Sequence, residues 1–186
     1  MTVHHSPAAS APAVLQFWFD EVGKDRWFAK SPELDAEIER RFEPVRMAVL
    51  RSGAKEWRDT PEHLLAAIIL LDQFSRNVHR GSAKAFAGDA LALELTNLAL
   101  ERGWDKAMRP ARRQFLLMPL MHSEQLADQR RSLVEFKRLG EENALNYARL
   151  HLEQIKRFGR FPGRNAALGR RTTPEEQAAL DAGAAF

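Results

Sequence analysis

The stretch LLAAIILLDQFSRN, residues 64–77, decides which fold this sequence can adopt. Its first eight residues are all apolar and follow neither the helical period nor the alternation of a half-exposed strand. A helix that is apolar on every side is buried on every side, so we predict that this segment is the central helix of the core. The polar residues that follow at once are Asp72, Gln73, Arg76 and Asn77. Because charged groups are rarely buried without partners, we expect these side chains to meet specific groups.

The composition is that of an ordinary globular domain. The chain has 186 residues, of which 45% are hydrophobic and 28% are charged, and this length allows a substantial core. It contains no cysteine, which excludes disulfides and thiolate metal ligands. No apolar run approaches the ~20 residues that span a bilayer, and Met1–Ser10 lacks the pattern of a secretory signal. We therefore expect a soluble, bacterial-type cytoplasmic protein with no membrane partner.

Helix start and stop signals recur along the chain and predict about eight helices joined by short connections. Ser31-Pro32 and Thr60-Pro61 are typical of an N-cap followed by a first-turn proline, and Thr173–Glu176 is typical of a capping box. The glycines that end predicted helices are Gly53, Gly103, Gly140 and Gly159. No segment shows clean strand alternation. We predict an all-α fold of antiparallel helix pairs, with residues 1–11 as a disordered leader and residues 12–186 as a single domain.

Two local features are predicted from single residues. Trp27 and Phe28 follow a helix stop at Gly23, and we expect both aromatic side chains to close one end of the core. Pro119 lies inside the helix that begins at Pro110. We expect it to break that helix, because proline cannot donate the hydrogen bond that continues the ladder.

Positive charge is concentrated near the C-terminal end. The basic residues between Glu153 and Glu175 are Lys156, Arg157, Arg160, Arg164, Arg170 and Arg171. This segment contains no acid and carries +6, whereas the net charge of the whole chain is +3. Most of these residues are arginines, whose planar fork suits phosphate and carboxylate. The segment is either an anion site or a solvated surface that compensates acidic neighbours.

A second polar group lies around residues 122–129. His122 and Glu124 follow an apolar segment at a helix start, and Gln129 is in phase with the apolar residues of the next helix. A buried amide needs a hydrogen-bond partner, so we expect Gln129 to have one. An N-cap at Ser123 with acids in the first turn explains Ser123 and Glu124. It does not explain His122 or Gln129.

A third polar group lies in residues 151–165. Arg160 and Arg164 alternate with Phe161 and Pro162, which would hold the arginines beside an apolar wall. Backbone amides near the flanking glycines could add donors for an oxyanion. His151 lies at the margin of the apolar face of its helix, where a histidine is usually structural. The candidate binding residues of this group are His151, Arg160, Arg164 and Asn165.

Several motifs in order give the chain a resemblance to a known family. They are Phe17-Trp18-Phe19, Leu71–Asn77, Pro119–Glu124, Asp128-Gln129 and Arg157–Asn165. Together they resemble the bacterial DUF924 family over nearly the whole chain, from Val14 to about Leu180. The resemblance implies a helical fold similar to tetratricopeptide repeats and a family without an established activity. The last family motif usually has histidine where this chain has Gly163, so no role is assigned to a histidine there.

Three functions compete. The first is a ligand-binding module in which all three polar groups converge on one face and arginines grip a carboxylate or phosphate of a small molecule or peptide. The second is a hydrolase or transferase acting on such an anion, with Glu124 or His122 as general base, Asp72 orienting a histidine and arginines stabilising charge. The third is a nucleic-acid binder through residues 156–171, which is less favoured because the rest of the chain is mildly acidic.

Two simpler explanations remain open. Asp72 and Arg76 are four residues apart and can form a local ion pair, and the polar groups together can be an internal network that pins helix ends. Metal ligands could come from Asp72, His122, Glu124 and His151, but the spacing of His122 and Glu124 is a weak signal. We predict no metal ion and no cofactor, favour ligand binding, and leave a homodimer open.

Overall fold

The computed structural model describes residues 6–183, in which the chain forms helices, turns and loops and no β-strand. The all-α prediction is therefore confirmed. The first helix begins at Pro7, so residues 7–11 of the predicted leader are helical, and Ala11 is fully buried. Residues 1–5 of that leader lie outside the described residues. None of the described helices combines the length and the hydropathy that crossing a membrane requires.

The chain divides into two compact units, where the sequence predicted one domain. Unit 1 comprises residues 1–80 and 84–107, and unit 2 comprises residues 81–83 and 108–186. The helices of unit 1 are α1 (Pro7–Gln16), α2 (Pro32–Ser52), α3 (Pro61–Ile68), α4 (Ser75–Val78) and α5 (Asp89–Glu101). Those of unit 2 are α6 (Pro110–His122), α7 (Leu126–Leu139), α8 (Glu142–Phe158) and α9 (Pro174–Asp181).

The apolar stretch of residues 64–71 is the centre of unit 1. Every residue from Leu64 to Leu71 is at most 1% exposed, which confirms the predicted buried helix. The helix changes its hydrogen bonding along its length, because a π-helical segment, Ile69–Phe74, separates α3 from α4. A second π-helical segment, Phe17–Val22, follows α1. The two contact each other, since the Phe74 ring lies 5.5 Å from that of Trp18, and such segments are frequent at functional sites.

The N-caps predicted at Ser31, Thr60 and Thr173 are confirmed. Ser31 accepts a hydrogen bond from the Leu34 amide and Thr60 accepts one from that of His63, so each caps the helix that its proline begins. Thr173 and Glu176 form both hydrogen bonds of a capping box. The glycines that follow the ends of α2, α7 and α8 are in the left-handed region, as C-caps usually are.

Three local predictions are wrong. Trp27 is buried and its indole N–H donates to the Trp18 carbonyl at 2.7 Å, but Phe28 is 61% exposed because it lies beyond that anchor. Pro119 does not break α6, which continues to His122. The buried apolar packing on both sides of Pro119 holds the helix together despite the missing hydrogen bond. Helix α7 begins after an N-cap at Gln125, not at Ser123.

Candidate functional site

In unit 1, Asp72 and Arg76 form the ion pair that their spacing allows. Asp72 is 1% exposed, and its Oδ1 lies 2.9 Å from Nη1 of Arg76. Gln73 donates to the other carboxylate oxygen at 2.6 Å. Both arms of the Arg76 guanidinium also reach Asp89, at 2.9 and 3.0 Å. Burial alone would lower the pKa of Arg76, but the charges of Asp72 and Asp89 outweigh it and raise the pKa.

Asn77 is not part of this ion-pair group. Its amide donates to Asp35 at 2.7 Å, and Asp35 also accepts from Arg80 at 2.7 Å. Asn77 therefore ties the end of α4 to the first turn of α2. Gln73, Asp72 and Arg76 are brought together as predicted, and Asn77 is directed elsewhere.

Arg46 of α2 is a buried charge that the sequence analysis missed. It is 2% exposed, and it contacts both oxygens of Glu43 at 2.6 and 2.7 Å, the Ser75 hydroxyl at 3.2 Å and His79 Nε2 at 2.8 Å. His79 Nε2 also lies 3.3 Å from Oε1 of Glu43. The burial of Arg46 could have been predicted from spacing, since residue 46 is in phase with the buried face of α2.

In unit 2, Glu124 anchors the loop that follows α8. Its two oxygens accept from both arms of Arg170, at 2.8 and 2.9 Å, and one of them also accepts from the Phe161 amide at 2.8 Å. Partial burial would raise the pKa of Glu124, but these donors, chiefly Arg170, lower it below its usual value. A carboxylate held ionised in this way is a weak base. Glu124 therefore ties the connection between α6 and α7 to the loop that carries Phe161 and Arg170.

Arg160 and Asn165 meet at the carboxylate of Glu176. Arg160 donates to both oxygens at 2.6 and 2.9 Å and also to the Arg171 carbonyl at 2.8 Å. Glu176 further accepts from the Thr173 amide at 2.8 Å and from Asn165 at 3.3 Å. The hydrogen bond from Arg160, followed by that from Thr173, lowers the pKa of Glu176 to about 2. Glu176 is thus both a residue of the α9 capping box and the counterion of Arg160.

Three further candidates, His122, His151 and Arg164, lie around Phe161, and we call these four residues the histidine cluster. The Arg164 guanidinium lies 4.6 Å above the Phe161 ring and donates to the His122 carbonyl at 2.9 Å. The His151 ring lies 5.3 Å from that of Phe161 and 6.2 Å from that of His122. His151 Nδ1 lies 2.8 Å from the Tyr147 carbonyl, and so carries a proton. His151 and Arg164 are buried, whereas His122 is half-buried.

The side-chain NH2 group of Gln129 has hydrogen-bond partners, whereas its buried side-chain oxygen has none among the described residues. The side chain is fully buried, and its amide donates to the carbonyls of Met121 and Ser123 at 2.6 and 2.7 Å. These carbonyls lie at the end of α6, where the helix itself leaves them without intrahelical donors. These two hydrogen bonds therefore connect α7 to the end of α6.

The basic segment is more neutralised than its sequence suggests. Besides the pairs of Arg160 and Arg170, Lys156 pairs with Glu153 at 2.7 Å and Arg157 with Glu175 at 2.9 Å. Gly163 is exposed between Pro162 and Arg164. Among the described residues, no group of three or more His, Asp and Glu side chains is arranged to hold a metal ion.

The structure brings together most of the predicted site residues within each unit. Asp72, Gln73 and Arg76 form one group in unit 1, and the candidates from positions 122–165 form connected networks in unit 2. That all three polar groups share one face stays a prediction. Asp89, Arg170 and Glu176 were not predicted as ion-pair partners, because each is separated along the chain from the arginine or carboxylate that it pairs with.

Comparison with known proteins places the chain in a family. The family model described as "Bacterial protein of unknown function (DUF924)" matches residues 14–184. A solved structure of a protein of unknown function from Agrobacterium tumefaciens is similar to this chain, with 38% identity and a TM-score of 0.89 over 94% of this chain and 98% of that one. No curated protein sequence matches the chain. The chain therefore belongs to the DUF924 family of bacterial proteins of unknown function.

Proposed function

We propose that this protein binds an anionic small molecule or peptide, through a carboxylate or phosphate, at the histidine cluster of unit 2. The observation that carries the proposal is the geometry of the histidine cluster. The Arg164 guanidinium stacks on Phe161 and donates to the His122 carbonyl, and Arg160 and Arg170 lie in the same loop between α8 and α9. Guanidinium groups concentrated in one loop suit the binding of a carboxylate or phosphate.

The geometry around Arg164 supports binding of a planar anion. Stacking on Phe161 and the hydrogen bond to the His122 carbonyl fix the plane of the guanidinium, so little side-chain entropy remains to be lost on binding. His122 is the more exposed histidine of the cluster. The proposal includes a tetratricopeptide-repeat-like arrangement and a cytoplasmic location.

The two competing functions have less support. As a hydrolase or transferase, the protein would rely on His122 as general base, because both oxygens of Glu124 are engaged by donors. As a nucleic-acid binder, it would use a segment in which Lys156, Arg157 and other cations already face glutamates. Pairing of this kind weakens attraction for phosphate, since each neutralised cation releases fewer counterions.

A thermal-shift experiment tests the proposal. Phosphate, sulfate, citrate and short peptides with a free C-terminal carboxylate are compared at constant ionic strength. At about a hundredfold excess over the dissociation constant, a bound anion should raise the melting temperature by roughly 5 °C. Arg164→Gln should abolish the shift. Arg171→Gln is the matched control, because it removes the same charge from an exposed side chain of the same segment.

Two results would contradict the proposal. The first is that no anion raises the melting temperature more than chloride does. The second is that Arg171→Gln reduces the shift as much as Arg164→Gln, because the effect would then be general charge screening. Circular dichroism of both variants, before the titration, shows whether the helices are intact.

A further inference from the structure

His79 lies at the end of α4, beside a cation and an anion that both belong to α2. Its Nε2 atom is 2.8 Å from Nη2 of Arg46 and 3.3 Å from Oε1 of Glu43. These two groups make opposite demands, because a guanidinium can only donate a hydrogen bond and an ionised carboxylate can only accept one. An Nε2 atom without a proton satisfies Arg46, whereas an Nε2 atom with a proton satisfies Glu43. The position of one proton therefore decides which of the two groups His79 binds.

The two α2 side chains hold each other in place. Arg46 is 2% exposed, and its guanidinium contacts both oxygens of Glu43, at 2.6 and 2.7 Å. Burial would raise the pKa of Glu43, but the hydrogen bonds and charge of Arg46, with a smaller contribution from His79, lower it below its usual value. Glu43 is therefore ionised at neutral pH. The side chain of His79 is 17% exposed, so it can exchange protons with the solvent.

The contact between α2 and α4 also involves Ser75. The other arm of the Arg46 guanidinium, Nη1, donates to the Ser75 hydroxyl at 3.2 Å. This hydroxyl in turn donates to the Leu70 carbonyl at 3.4 Å, in the π-helical segment that precedes α4. Arg46 thus holds α4 at two points, Ser75 and His79. If the His79 contact is lost, only the contact with Ser75 remains.

Other charges near this end of α4 have partners of their own. Arg76 and Arg80, which flank His79 in the sequence, both pair with aspartates. Among the described residues, the charged groups in contact with the His79 ring are Glu43 and Arg46. This group lies in unit 1, so an inference from it does not depend on the ligand proposed for unit 2.

We propose that His79 is a pH-sensitive switch between α2 and α4. Without a proton on Nε2, His79 accepts a hydrogen bond from Arg46. When the ring is protonated, Nε2 donates to Glu43 and Arg46 loses this acceptor. The imidazolium and the guanidinium then carry like charges next to each other, which weakens the attachment of α4 to α2.

Nuclear magnetic resonance follows the switch in the full chain between about pH 5 and about pH 8, the range in which histidines ordinarily titrate. The ring nitrogen signals report the protonation of His79, the guanidinium signals report Arg46, and the carboxyl carbon signal reports Glu43. The test variant is His79→Gln, because an amide can both accept and donate a hydrogen bond at every pH. The control is His63→Gln, which removes a half-buried histidine from α3 in the same unit.

In the wild type, the signals of His79, Arg46 and Glu43 should change with one midpoint. Amide hydrogen exchange in α4, corrected for its intrinsic pH dependence, should be about fivefold faster at the acidic end of the range, as expected for the loss of one hydrogen bond. His79→Gln should remove this acceleration, and His63→Gln should retain it. The proposal is overturned if Arg46 and Glu43 do not follow the titration of His79, or if His79 keeps one protonation state throughout the range. It is also overturned if His79→Gln retains the acceleration.

Discussion

Glu124 and Arg170 form a two-armed ion pair, with nitrogen–oxygen distances of 2.8 and 2.9 Å, across a sequence separation of 46 residues. The same carboxylate accepts the Phe161 amide. One side chain in the connection between α6 and α7 thus fixes two points of the loop between α8 and α9. This loop carries Arg164 and Phe161, so the shape of the histidine cluster depends on Glu124.

Glu124→Gln should lower the free energy of unfolding by about 2 kcal/mol, because the guanidinium of Arg170 loses its partly buried counterion. The control is Glu153→Gln, which breaks an exposed pair with Lys156 and should cost less than about 0.5 kcal/mol. Urea denaturation of both variants measures the difference. Equal effects in the two variants would show that the Glu124 pair does not hold the loop.

The pKa of Glu176 predicts an acid-sensitive contribution to stability. Its pKa falls from 4.5 in the unfolded chain to about 2 in the folded protein, chiefly because of Arg160. A lowered carboxylate pKa stabilises the fold above the unfolded value, and the contribution is lost as the pH falls from about 4.5 to about 2. Urea midpoints of wild type and Glu176→Gln should therefore converge over this range. Glu175→Gln, at an exposed neighbour, should keep the wild-type pH dependence.

Asp72→Ala should be more destabilising than Asp89→Ala, although both carboxylates pair with Arg76. Asp72 is 1% exposed and also accepts from Gln73, so its removal should cost about 3 kcal/mol. The side chain of Asp89 is 21% exposed, and its removal should cost about 1 kcal/mol. Urea denaturation measures both. If Asp72→Ala leaves stability unchanged but removes anion-induced thermal shifts, Asp72 is a ligand-binding residue and not a structural one.

Gly88→Ala should destabilise unit 1 by about 2 kcal/mol through overpacking. A Cβ at residue 88 would lie 2.8 Å from the Leu71 carbonyl oxygen and 3.0 Å from the Leu71 Cβ, in the π-helical segment. The comparison variant is Gly159→Ala, where a Cβ has open space but the positive φ of 70° should cost about 1 kcal/mol. Thermal and urea unfolding rank the two. A larger cost at Gly159 would mean that Leu71 moves aside.

The features that were correct from sequence depend on residues close together in the chain. Ser31 and Thr60 cap helices because a hydroxyl three residues before a helical amide reaches it in almost any context. The buried helix after Leu64 follows from apolarity on every side. Gln129 was correctly expected to find a partner, since a buried amide without one is costly.

The errors arise where packing overrides local preference. Pro119 would end an isolated helix, but α6 continues past it to His122 because buried neighbours on both sides stabilise the helix. Phe28 is a residue type common in cores, yet it is 61% exposed, whereas Trp27 is buried and donates to the Trp18 carbonyl. The π-helical segments have no sequence pattern of their own, and contacts such as Trp18 with Phe74 accompany them.

The sequence by itself determined the helical class, the start and end of most helices, the buried centre of unit 1 and the residue types available for a site. Tertiary structure decided how those residues are used. Glu124 pairs with Arg170, and the counterion of Arg160 is the helix-cap residue Glu176. The physical reason is range: capping and apolar periodicity act within a few residues, whereas the partner of a charge depends on which helices dock.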